Sequence, residues 1–169
     1  MKKILITVFA VIVSFSTLSA QKLGYINTET ILSQIPAYAA AQQQISELSA
    51  KYKATVETDL KEIEKLYQSY QKVKNTLSAS ERAAKEDEII SREKLLKEKE
   101  KIYFGEEGIL AKASEQLLNP IQTMVNEAIV KYAETGGFAM IIDLAATPGV
   151  VYRNDAFDLS QQIINIINQ

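Results

Sequence analysis

Residues 89–125 read IISREKLLKEKEKIYFGEEGILAKASEQLLNPIQTMV, and an apolar residue recurs there every seven positions: Ile89, Leu96, Tyr103, Leu110, Leu117 and Met124. A second apolar residue often stands beside it, as Ile90, Leu95, Ile102, Ile109, Leu118 and Val125 do. A seven-residue period keeps one seam of a helix turned toward a partner helix. Upstream, Ile45, Leu48, Tyr52, Val56, Leu60, Ile63, Tyr67, Tyr70, Val73 and Leu77 step by three and four, the spacing of one helical face. Together the two runs predict an antiparallel helical hairpin over 39–132, with its tip near 77–80.

At the tip, Ser78-Ala79-Ser80-Glu81 has capping-box spacing, so Ser78 starts the second arm. Pairing around it sets residue i opposite roughly 158 − i. Glu-to-Lys or Glu-to-Arg pairs four apart (47/51, 57/61, 81/85, 88/92, 93/97) keep the exposed faces helical and soluble, each contributing about 0.2–0.5 kcal/mol. Gly105 and Gly108 interrupt the second arm, either for close packing, against Tyr52 for example, or as a hinge. Pro120 falls where the hairpin should end and is expected to kink the helix, which makes it a third hinge candidate.

The flanks of the hairpin read as a small body, 21–38 and 133–169. Lys22–Asn27 (KLGYIN) is a short strand; Asn27 or Thr28 caps a short helix that Pro36 ends. Gly136-Gly137 suits a left-handed helix end. Residues 138–143 (FAMIID) form a second strand, 147–150 a turn, and 150–153 (VVYR) a third strand; Asp158 caps a last helix. Three short strands, greasy on both faces, make an undersized core, and another copy is the natural cover. The residues expected at that contact are Leu23, Tyr25, Ile26, Phe138, Met140, Ile142 and Val151. The alternative is that the helices fold back over the sheet of a single subunit. The fold class is therefore α+β, mostly α: a long coiled-coil-like hairpin projecting from a small sheet or barrel body formed by oligomerisation.

The chain has 169 residues with no Cys, no His and no Trp. That removes Cys nucleophiles, Ser-His triads, disulfides and nearly all zinc sites. The six glycines form no phosphate-binding loop, so neither an enzyme nor a cofactor or metal site is expected. Residues 1–20 read as a cleaved secretory signal peptide: Lys2 and Lys3, an apolar core from Ile4 to Val13, then Ser19-Ala20. Without those two lysines the 19 basic residues become 17 against 21 acidic, a balance that argues against nucleic-acid binding.

The KLGYIN strand, the Lys/Glu-rich hairpin and the FAMIID…VVYRNDAFDLS ending before a terminal helix resemble the Skp/OmpH family of periplasmic chaperones over essentially the whole chain. The resemblance implies a homotrimer with a β-barrel body and three helical arms around a cavity. It also implies a periplasmic, ATP-independent holdase for unfolded outer-membrane proteins. The rival is an envelope coiled-coil scaffold or adaptor that binds one specific folded partner. Well-known members of the family are strongly basic, whereas residues 61–101 here hold eleven basic and nine acidic residues. No lipopolysaccharide or membrane-surface site is therefore carried over. Client contact is expected on the side of the arms away from the seam, at Tyr67, Tyr70, Val73, Leu95 and Tyr103, where tyrosine offers an apolar body with a polar tip. The competing reading puts these residues in the hairpin core, where aromatics at helical spacing usually pack.

Overall fold

The structure is a computed structural model, and it describes residues 22–168. The signal peptide expected over 1–20 lies outside the described residues. In chain order the elements are β1 (Lys22–Ile26), α1 (Thr28–Ser33), α2 (Pro36–Val73), α3 (Ala79–Phe104), α4 (Ile109–Gly136), β2 (Phe138–Asp143), a 3-10 turn (Asp155–Phe157) and α5 (Ser160–Ile167). Two compact units result, one of residues 33–124 and one of the residues up to Leu32 together with those from Val125 onward.

In the first unit α2 and α3 form the expected antiparallel hairpin. Pro36 opens α2 at a position where a missing N–H costs nothing. Ser78 caps α3 with both halves of the capping box in place: its side chain accepts from the Glu81 N–H, and the Glu81 carboxylate accepts from the Ser78 N–H at 2.9 Å. The buried seam consists of Ile63, Tyr70, Ile89 and Leu96, with Val56, Leu66 and Leu77 packed against it. On α2 the buried and half-buried positions 45, 48, 52, 56, 59, 63, 66 and 70 keep the expected three-and-four step, with 59 and 66 taking the places expected for Leu60 and Tyr67. Leu60 and Tyr67 stand outside it, more than half exposed. Asp59 meets Lys99 at the expected register; Tyr70 reaches Glu86, two residues short of it. Of the five surface pairs, Glu57–Lys61 is formed at 2.6 Å, while Glu88 takes Lys85 instead of Arg92.

The second arm is not one helix. Gly105 ends α3 in extended geometry, and α4 begins four residues later. Glycine is needed because the backbone nearly touches itself. A Cβ on Gly105 would stand 2.5 Å from the Lys101 carbonyl oxygen, and one on Gly108 would stand 2.9 Å from three backbone atoms. Next to this break Tyr52 stacks on Tyr103, with ring centroids 4.2 Å apart. Pro120 sits inside α4, which continues through it to Gly136.

In the second unit β1 and β2 pair in parallel, Tyr25 opposite Ile142, with a bulge between Lys22 and Leu23. Gly137 takes φ 65°, the left-handed conformation that ends α4 and turns the chain into β2. Asp143 at the end of β2 accepts from the Thr28 N–H and hydroxyl, tying the strand to the start of α1, and Asn27 Oδ1 accepts from the Thr30 N–H. Helix α5 buries Ile163 and Ile164, and Leu159 just before it is buried as well.

The expected third strand is corrected: residues 150–153 form no strand, and the described sheet has two. The reason is a missing partner. The side of β1 away from β2 is taken by the segment before α5, where the Leu159 N–H donates to the Tyr25 carbonyl at 2.8 Å and Tyr25 bridges Asp158. Val150–Arg153 therefore has no ladder to join within one chain, and Val151 stands fully exposed.

Candidate functional site

Heptad packing explains what the hairpin leaves open. Each heptad of the seam, two helical turns, deeply buries one residue from each helix, while apolar neighbours flank it in solvent. Leu60 (54% exposed), Tyr67 (51%), Leu95 (55%) and Ile102 (54%) are such neighbours, and Ile90 and Val73 are also exposed. At about 100° per residue, Leu60 and Tyr67 lie on one flank of the α2 row and Leu66 on the other.

The Leu66 flank and the Leu95–Ile102 side of α3 bound a groove of about 350 Å³, whose floor reaches Ile63 and Leu96. Its charged lining is Asp59, Glu62, Glu88 and Glu98 against Arg92 and Lys99. Lys99 bridges to Asp59 at 2.6 Å; that hydrogen bond, more than any other influence, holds the lysine pKa above its usual value, and Glu62 adds to the effect.

These positions divide the five expected contact residues. Tyr67, Val73 and Leu95 are exposed on the arms. Tyr70 is not: at 4% exposure it belongs to the core, with its hydroxyl donating to Glu86, and this corrects its expected place on the outer stripe. Its heptad spacing from Ile63 and Leu77 was the available signal. Tyr103 is half-buried under Tyr52. Leu60, Ile90 and Ile102, which the sequence set in or beside the seam, are open.

The second unit has an apolar surface of its own. Leu23, Met140, Val151, Tyr152 and Phe157 are all more than half exposed, and Ile142 is 37% exposed. A cleft of about 740 Å³ beside the sheet is walled by Leu23, Tyr25, Phe138, Ile142, Val150 and Phe157, among others. Two cations close over aromatic faces there, Lys22 over Phe138 and Arg153 over Tyr25. Tyr25 and Ile26, expected at the contact between copies, are instead buried in their own unit, where the Tyr25 hydroxyl donates to Asp155. Phe138 is half-buried and stacks on Tyr132. Leu23, Met140, Ile142 and Val151 remain available on the surface.

Among the described residues no group of acidic side chains is placed to hold a metal ion, and no helix is long and apolar enough to cross a membrane.

Comparison with known proteins agrees with this description. The OmpH-like outer membrane protein family matches residues 22–167. A solved structure described as an OmpH-like outer membrane chaperone from Caulobacter crescentus CB15 has the same fold, with a TM-score of 0.68 over 89% of this chain and 85% of that one at 10% identity. The prefoldin beta subunits of Saccharolobus islandicus strains L.S.2.15 and M.14.25 are each 29% identical over 117 residues, 63% of this chain and 89% of theirs.

Proposed function

The chain belongs to the OmpH-like outer membrane protein family, and we propose that it is a periplasmic, ATP-independent holdase for unfolded outer-membrane proteins. The observation that carries this reading is the set of apolar side chains left open beside the hairpin seam, Leu60 and Tyr67 on one flank of α2 and Leu95 and Ile102 on α3, each more than half exposed. A folded hairpin that needs only the seam for its own stability keeps these residues free for transient contact. Many weak contacts hold an unfolded chain by avidity, because each later contact is intramolecular. Similarity to prefoldin subunits and to an OmpH-like chaperone supports the chaperone class.

In this reading the functional particle is a homotrimer. The apolar surface around Leu23, Met140, Ile142 and Val151 joins the copies, and the client is enclosed between their arms. An outer-membrane β-barrel protein diluted from urea into buffer without nucleotide tests it. Sub-stoichiometric or equimolar protein should suppress light scattering, and no suppression would leave the scaffold reading in place. The Leu60→Ser/Leu95→Ser/Ile102→Ser variant should keep its helicity and lose most of the suppression.

A further inference from the structure

The small net charge of the arm hides a segregation. Residues 65–85, around the tip, carry five Lys or Arg and one Glu. The shaft below it, 47–64 and 86–100, carries eleven Asp or Glu against seven Lys or Arg. The groove between α2 and α3 takes its charged rim from the shaft, four carboxylates against two cations, and Leu66, Leu95 and Ile102 give it apolar walls. Among the described residues Glu62 and Glu98 enter no salt bridge, so their charge faces whatever occupies the groove.

We propose that this groove binds unfolded polypeptide segments in which a short apolar run is flanked by lysine or arginine. The apolar walls take the run, and the unpaired carboxylates attract the flanking cations while repelling acidic flanks. A carboxylate-flanked segment would bring like charge to the rim and meet attraction only at the tip. The proposal rests on the holdase reading and names the client feature that the shaft selects.

Two fluorescein-labelled peptides test it, identical in an apolar centre of leucine, valine and tyrosine and flanked by three lysines or three glutamates, titrated against the full protein. At low salt the lysine-flanked peptide should bind about five-fold more tightly, the scale of two exposed ion pairs. The gap should close above about 0.5 M salt, where screening acts within a few ångströms. Glu62→Gln/Glu98→Gln should erase most of the preference, and Glu62→Lys/Glu98→Lys should reverse it; both sites are exposed, so folding is spared. A photocrosslinker at Ile102 should label the lysine-flanked peptide. Equal binding, a preference for the glutamate peptide, or crosslinks only to the tip of another copy would overturn the proposal. If aggregation is suppressed without charge preference, this proposal falls and the holdase reading stands; preference without suppression does the reverse.

Discussion

Adjacent leucines make the sharpest contrast in the molecule. Leu96 is 9% exposed in the hairpin seam, whereas Leu95, one step round the helix, is 55% exposed. Leu96→Ala should cost about 2–4 kcal/mol through lost burial and a residual cavity, and Leu95→Ala should stay within about 0.5 kcal/mol. Urea melts of both variants followed by circular dichroism check this. Tyr70 adds a pH dependence. Its hydrogen bond to Glu86, then burial, raise its pKa above 10.0. A raised folded-state pKa holds the proton longer than the unfolded chain does. This stability is therefore complete below pH 10 and is lost as pH rises through the higher folded value. Tyr70→Phe should flatten the alkaline fall in melting temperature between pH 9 and 11. The same tyrosine marks where the sequence was ambiguous. Helical spacing puts Tyr67 and Tyr70 on one stripe, but the two sit about 60° apart, and the packed side runs through Ile63, Leu66 and Tyr70, leaving Tyr67 outside it.

Elements were legible wherever local chemistry dictates them. The capping box at Ser78, the Gly137 turn and the opening strand follow from short-range rules, and all stand where those rules put them. Ser78→Ala should destabilise the hairpin by about 0.5–2 kcal/mol. It should also weaken an acid dependence. The Glu81 pKa is lowered, first by the Ser78 hydroxyl and then by its N–H, so the contribution is present above the unfolded value of 4.5 and lost as pH falls through the lower folded one. Thermal melts of both proteins from pH 6 to 3 read the difference. What the sequence left open, between packing and hinge at Gly105 and Gly108, is a question of backbone path. The glycines accommodate a close approach of the chain to itself, which no periodicity encodes. Gly105→Ala should therefore cost about 1–3 kcal/mol, as overpacking does. If the break also works as a hinge, amides at 103–110 should exchange faster than those in the turns on either side. Slower exchange there would assign the glycines to packing alone.

At the scale of the molecule, the Val150–Arg153 segment shows why a single chain tells only part of the fold. Its residues have strand chemistry, and VVYR has the propensity of a strand. A strand also needs a neighbour. Within the chain the outer side of β1 is engaged by Leu159, leaving Val151 wholly in water and Met140 and Ile142 open on β2. Burying a side chain of this size stabilises by about 1.5–3 kcal/mol, so a surface with this many exposed apolar groups favours a covered state. In the proposed trimer, a closed assembly of copies would supply that cover and offer Val150–Arg153 a strand to pair with. Light scattering at micromolar concentration should return a multiple of the chain mass. Met140→Asp with Val151→Asp should shift that mass toward one chain while the hairpin helices remain, since neither position belongs to the unit of residues 33–124. The same variant should hold unfolded barrel proteins poorly, because separated arms lose the avidity that an enclosing particle provides. A wild-type chain that scatters as a monomer and still prevents aggregation would place the holding surface on one hairpin and remove any need for a cage.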